Sequence, residues 1–320
     1  MKLDIFALGL VLLFMIILPI KDFFSAEKMD KPPQKIELQE AIDIDLGKKI
    51  RIKEKETGKI REYSQRDFVF GSVSSEVPPS YCIDSVKAQA ISSHSYGLYC
   101  MEQNKDKDFD IECEREKIKN HDLKKQYGNS YKEYKEKLLK AVDECFNEVL
   151  VFEGKPALCC YHAMSCGVTE DAENVWGKSL PYLIPRDSPG DREHRSFSSE
   201  ESFSYEEYEK LIKKVYPDTL FLKDKKTYAE IASYTESGYV KRIKVGNISL
   251  TGNELRKILG LRSSCFEVET LEDELVFRVK GYGHGVGLSQ VGAEFMAKNG
   301  SSYEEILSHY FPGTSLVKIK

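Results

Sequence analysis

The chain lacks a basic excess. Its 47 lysines and arginines face 52 aspartates and glutamates, for a net charge of −5. A nucleic-acid binder, whose affinity rests on neutralising phosphates, needs the opposite balance. There is no internal repeat and no low-complexity tract, so a repeat architecture is excluded. No Lys-Ser/Thr pair follows the one glycine-rich loop, which rules out a phosphate-binding P-loop, and no βαβ order frames it as a dinucleotide fingerprint. Tryptophan occurs once, as Trp176. What is present is apolar and aromatic: 41% of the residues are hydrophobic, with 18 Tyr and 16 Phe. That much aromatic surface collapses, so disorder of the whole chain is excluded, and 320 residues suffice for one large domain or two modest ones.

Residues 5 to 20 carry no charge, with Lys2 before them and Lys21 after. With Phe23 and Phe24 the apolar stretch reaches about 20 residues, roughly the 30 Å that a helix needs to cross a bilayer. We expect residues 1–26 to be a membrane anchor. A cleaved signal peptide ending at Ser25-Ala26 is the alternative, disfavoured by the bulky Phe24 three places before the cut. Residues 27–35, with a proline pair, read as a linker, and 36–320 as one extracytoplasmic domain. Eight cysteines (Cys82, Cys100, Cys113, Cys145, Cys159, Cys160, Cys166, Cys265) are irregularly spaced for a disulfide framework, and most read as small buried hydrophobes.

Along that domain the residues alternate around Thr57-Gly58 as a hairpin, and a helix is predicted from about 84 to 101 with Asp84 as its cap. About half of residues 102 to 148 are charged, a solvated excursion whose second half regains helical spacing. A second hairpin turns at Glu153-Gly154-Lys155. Helices at 203–215, 251–259, 290–299 and 303–310 alternate irregularly with strands, and Ser302 with Glu305 forms a capping box. The order is mixed, so the fold class is α+β.

Three constellations could carry chemistry. In GSVSSEVPP the alternation of Val73, Ser75 and Val77 predicts a strand, with Glu76 on its opposite face and Val77 held extended by Pro78. A lone carboxylate at such a junction, among apolar neighbours, suits a general acid; a surface glutamate at a strand end is the alternative. Cys160, His162 and Cys166 have the donor chemistry of a zinc site, with His94 the nearest fourth ligand; a Cys160–Cys166 disulfide, a Cys–His nucleophile and inert thiols compete. In GYGHGVGLSQVGAEFMA every second residue from Gly281 to Gly287 is glycine. If extended, that loop offers a bare face either to a ligand or to a neighbouring strand. Ser289 is the expected cap of the next helix.

The EVP segment with KAQAISSHSYGLY, then YHAMSCGVTEDAENVWG, PYL with DSPGD, and GYGHGVGLSQVGAEFMAKNGSSYEEILSHYFPGT together resemble the stage II sporulation protein D family, whose domain the amidase-enhancer proteins share. The motifs span 71–316. The resemblance implies a membrane-anchored lytic transglycosylase that acts in forespore engulfment from the mother-cell membrane, cutting peptidoglycan glycan strands already stripped of stem peptides. It implies work alongside stage II sporulation proteins P and M. The family's catalytic glutamate falls on Glu76.

One carboxylate suffices for that reaction. Ordinary glycosidases use two, whereas here the C6 hydroxyl of N-acetylmuramic acid attacks its own ring and leaves a 1,6-anhydro end. Glu76 protonates the glycosidic oxygen and then takes the hydroxyl proton. Glu170, Asp171 and Glu173 are candidate second acids. Two departures from the family's pattern, His94 at a usual arginine and Cys166 at a usual glycine, favour a zinc ion held by His94, Cys160, His162 and Cys166 that fixes geometry. Tyr96, His284 and Gln290 are expected to contact sugar. A noncatalytic glycan-binding activator of a partner amidase, and a zinc hydrolase of peptides, are the rival functions.

Overall fold

The computed structural model describes residues 39–113 and 127–320. The expected anchor and linker, and the middle of the charged excursion, lie outside them. Among the described residues no helix is long and apolar enough to cross a membrane.

The chain enters through β1 (Gln39–Ile42), β2 (Ile50–Glu54) and β3 (Ile60–Tyr63), the last two pairing as the expected hairpin. Next come α1 (Gln65–Glu76) and α2 (Ile83–Gln103). Strand β4 (Ile111–Cys113) joins β2, and α3 (Tyr131–Cys145) leads to β5 (Glu148–Phe152) and β6 (Lys155–Pro156). A loop-rich stretch holds β7 (Tyr161–His162), α4 (Ala172–Trp176) and α5 (Pro189–Arg192). Then follow β8 (Ser198–Ser204), α6 (Tyr205–Val215), β9 (Glu230–Tyr234), β10 (Val240–Val245), β11 (Ile248–Leu250) and α7 (Gly252–Leu259). The chain closes with β12 (Cys265–Thr270), β13 (Glu274–Lys280), β14 (Leu288–Ser289), α8 (Gln290–Lys298), α9 (Tyr303–Tyr310) and β15 (Ser315–Ile319). The class is mixed α+β, as expected.

Helix α2 is the axis around which the elements outside the β8–β13 lobe pack. Residues Ser85, Val86, Ala88 to Ser95, Gly97 and Leu98 are all buried, so the helix is enclosed on all sides. Its small side chains let α1, α3, α8, α9 and β5 approach. Gly97 is required there, because a Cβ would meet Phe68 at 2.8 Å and Ile50 at 2.9 Å. The lobe from β8 to β13 has its own core, centred on Phe203, Tyr208, Ile212, Ile243, Phe266 and Phe277.

Two local expectations are corrected. The segment around Glu76 is helical: Ser64 caps α1 by accepting from the Asp67 N–H at 3.0 Å, and the helix runs to Glu76. The valine alternation fits a strand over five residues, but Val69, Val73 and Val77 recur every four, and all three are buried. Pro78 does hold Val77 extended (φ −100°, ψ 127°), and this ends the helix. Helix α2 starts earlier than read, with Cys82 in the cap position that Asp84 was expected to fill. The Ser302–Glu305 capping box is present.

Candidate active site

The site begins with β7, which pairs in parallel with β14, Tyr161 opposite Leu288 and His162 opposite Ser289. The glycine loop folds back along residues 160–170. Met164 and Tyr282 exchange hydrogen bonds at 2.9 and 2.7 Å, and Glu170 N donates to Gly285 O at 2.7 Å. Gly281, Gly283, Gly285 and Gly287 all have positive φ, so the loop is not extended as supposed. Close packing on this neighbour demands them: a Cβ on Gly283 would lie 2.7 Å from His162 Cβ, and one on Gly287 only 2.2 Å from Cys160 O.

This packing brings His284 and His162 together, with ring centroids 5.6 Å apart. His284 Nδ1 accepts from Val286 N at 3.1 Å, and the ring also hydrogen-bonds the backbone of Tyr161. Burial and the nearby Arg256 charge lower its pKa to about 4. His162 Nδ1 donates to Val286 O at 3.1 Å, while its Nε2 has no partner among the described residues. Burial, then His284, lowers the His162 pKa to about 3. Both rings are neutral at physiological pH.

Tyr161 itself points the other way. Its hydroxyl lies 2.9 Å from Ser72 Oγ on α1, and Ser72 lies 3.0 Å from Ser93 Oγ on α2. Gln89 reaches Ser93 at 3.3 Å, and Gln290 reaches Gln89 at 3.4 Å. One turn beyond Ser72 stands Glu76, exposed at the last residue of α1. Burial, and next the negative charge of Glu76, push the Tyr161 phenol up to about 12. The carboxylate thus neighbours a phenol that keeps its proton, and the backbone of that same tyrosine carries His284. Glu76 is not enclosed among apolar side chains as the sequence suggested, because the helix delivers it to the surface.

Trp176 lies on the other side, beside His284. It ends α4, is 46% exposed, and its ring lies 5.2 Å from His284. The helix is fixed from below by Glu170, whose carboxylate accepts from Asp171 N at 2.8 Å, Asn174 Nδ2 at 3.0 Å and Thr235 Oγ1 at 2.5 Å. Asp171 caps the helix by accepting from Glu173 N. Glu170 and Asp171, candidate second acids, are therefore engaged in holding the tryptophan.

Asp191, from the DSPGD motif, ties the motifs together. Fully buried, it accepts from Ser165 N at 2.8 Å, from Ser165 Oγ, and from Ser289 Oγ at 2.7 Å. Burial raises its pKa to about 6 against these donors. Ser289 also caps α8, accepting from Gly292 N.

The structure does not bring the four expected zinc ligands together. His94 lies in the core of α2, its Nε2 2.9 Å from Gln65 Oε1 and its ring stacked on Phe146 at 4.9 Å. Burial lowers its pKa to about 4. The Cys160 thiol is held in its protonated form by burial, its pKa raised to about 12. Cys166 turns to Cys265 and donates to Ser237 O at 3.2 Å, away from Cys160. Among the described residues no group of three or more His, Cys, Asp or Glu side chains could hold a metal ion. The physical reason is that the strand expected to hold Cys160 and His162 is only Tyr161–His162, and the loop beyond it is anchored at Ser165 by Asp191, with Cys166 turned to Ser237.

Of the expected sugar contacts, His284 lies on the face with Trp176. Tyr96 packs with Ile50, Ile52 and Ile111, its phenol bonded to Cys100. Gln290 is buried at the start of α8. Sequence reasoning missed Tyr161 and Trp176. Trp176, unique in the chain, was the available signal; nothing marked Tyr161 apart from 17 other tyrosines.

Residues 53–152 are similar to the stage II sporulation protein family and match it over that stretch. More particularly, the chain is 28% identical over 257 residues to stage II sporulation protein D of Bacillus subtilis, covering 78% of this chain and 73% of that protein. It is 29% identical to the protein of the same name from Bacillus amyloliquefaciens, over the same shares. It is also 25% identical to the amidase enhancer of Bacillus subtilis, covering 77% of this chain and 40% of that protein.

Proposed function

We propose that the chain is a sporulation lytic transglycosylase that cleaves peptidoglycan glycan strands, with Glu76 as its acid and base. The observation that carries this reading is the position of Glu76 beside Tyr161, the residue whose backbone holds His284. Protonated Glu76 donates to the glycosidic oxygen as the bond from the muramyl C1 breaks. The C6 hydroxyl of the same ring then attacks C1 and gives its proton to the Glu76 carboxylate. That forms a 1,6-anhydro end and restores the acid. Because the nucleophile is tethered to the reacting ring, no second carboxylate and no positioned water are needed. Tyr161, which keeps its proton, is a neutral donor beside the carboxylate, and neutral His284 and exposed Trp176 suit uncharged pyranose rings.

The preferred substrate is glycan stripped of stem peptides, which puts the enzyme downstream of an amidase such as stage II sporulation protein P, with stage II sporulation protein M as a membrane partner. The apolar segment at 5 to 20 would hold it in the cell membrane with the catalytic domain outside. A noncatalytic activator of a cell-wall amidase is the second reading, favoured by the similarity to the amidase enhancer. Glu76→Gln separates the two: it abolishes glycan cleavage by a folded enzyme and leaves an activator unaffected.

A further inference from the structure

Far from the Tyr161 cluster in sequence, the lobe from β8 to β13 carries a surface that none of this chemistry uses. The second half of α6 and the loop that follows read KLIKKVYPDTLFLKDKK from 210 to 226. Leu220 is 65% exposed, Leu222 64% and Val215 53%. They are the three most exposed of the large hydrophobic residues described.

These leucines are not loose ends of a slack loop. Between them Phe221 turns inward, 4.7 Å from the Tyr228 ring and 6.1 Å from Tyr208. Leu220 N donates to Asn247 Oδ1 at 2.8 Å, and Thr219 Oγ1 donates to Tyr216 O at 2.8 Å, closing the turn. Gly246 is packed so tightly beneath that a Cβ there would lie 2.3 Å from Leu220 O. The fold therefore spends ordered backbone on holding two leucines in solvent.

The same segment is basic, with six lysines against Asp218 and Asp224. Lys213 pairs with Glu209 at 2.9 Å, and Lys225 lies over the rings of Tyr205 and Tyr228 at 3.9 and 4.5 Å. Lys210, Lys214, Lys223 and Lys226 pair with no carboxylate among the described residues. Asp224 is spent capping the turn, accepting from Lys226 N at 3.1 Å. The acidic residues of α6, Glu206, Glu207 and Glu209, sit in its first turns, at the other end.

We propose that this face docks on an anionic lipid surface, with Leu220, Leu222 and Val215 entering the headgroup layer and the four unpaired lysines meeting lipid phosphates. Apolar side chains ringed by lysine are what such an interface recognises. The charge complementarity points to anionic lipid and away from an apolar protein groove, which would leave four lysine charges without partners. Each lysine near such a surface strengthens association by about fivefold at low salt. Docking would hold the domain at a fixed height and orientation on a membrane.

The test uses the full chain carrying Leu222→Trp, reconstituted in vesicles with bromine-labelled acyl chains, with the native chain reporting Trp176 alone. In vesicles one third phosphatidylglycerol, bromine quenches the added emission, while Trp176 emission is unchanged. In pure phosphatidylcholine vesicles, in 0.5 M salt, or with Lys223→Gln and Lys226→Gln added, the quenching falls severalfold. Quenching no greater than that of Trp176 in every vesicle overturns the proposal. So does equal quenching in neutral and anionic vesicles. A soluble polyanion that shifts the Leu222→Trp emission while bromine does not quench it would assign the face to an anionic polymer instead, and would also overturn it. All the substituted residues are exposed, so the fold is retained, and glycan cleavage in solution serves as the control.

Discussion

The Tyr161 hydroxyl lies 2.9 Å from Ser72 Oγ, joining β7 to α1 one turn before Glu76. Through this contact a helix that ends at the surface is registered against the loop that carries His284. The carboxylate and the imidazole, 208 residues apart in sequence, each act on Tyr161, Glu76 through its charge and His284 through a hydrogen bond to the backbone.

Tyr161→Phe removes the phenol but leaves Ser72 and Ser93 bonded to each other. The stability cost is about 1 kcal/mol. Loss of the neutral donor beside Glu76 lowers kcat by about tenfold or more while KM changes little. Steady-state kinetics on peptide-free glycan, with urea unfolding as the control, measure both.

Trp176→Ala acts on binding instead. The ring is 46% exposed and packs on His284, so loss of its buried part costs about 1–3 kcal/mol of stability. Losing a stacking face for one sugar ring weakens glycan binding by about tenfold. Calorimetric titration with chitin-type oligosaccharides reads this directly.

Asp191→Ala leaves Ser165 N, Ser165 Oγ and Ser289 Oγ without an acceptor in the interior. The expected loss is about 3 kcal/mol or more, seen as a lower urea midpoint. Activity falls in parallel with the folded fraction.

Acid sensitivity has a named source in His94. Its folded pKa, about 4, is depressed below the ordinary 6.5, so its contribution is complete above pH 6.5 and is lost as pH falls towards 4. The limit is about 3 kcal/mol. The stability difference between the native chain and His94→Leu should therefore shrink as pH falls from 7 to 4. A constant difference across that range would show that His94 is not buried as a neutral ring.

Much of the fold was legible because its signals are local. Turn residues at Thr57-Gly58 and Glu153-Gly154, the Ser302–Glu305 box and the helical spacing from Tyr131 each act within a few residues. The site was less so. Glu76 stands out by its motif, but the four-residue recurrence of Val69, Val73 and Val77 was masked by the shorter alternation beside it. The zinc set does not assemble because Asp191, distant in sequence, holds Ser165, Cys166 turns to Ser237, and His94 lies in the core of α2. Likewise the glycines proved to be needed by His162 and Cys160, partners over a hundred residues away that no local pattern reveals.

The central claim is chemical and has one direct measurement. Purified protein is incubated with peptide-free glycan strands, and the new ends are weighed by mass spectrometry, where anhydromuramyl ends are one water lighter than hydrolysed ends. The account predicts anhydro ends from the native chain and none from Glu76→Gln. Water-added ends, or anhydro ends made equally well by Glu76→Gln, would contradict it.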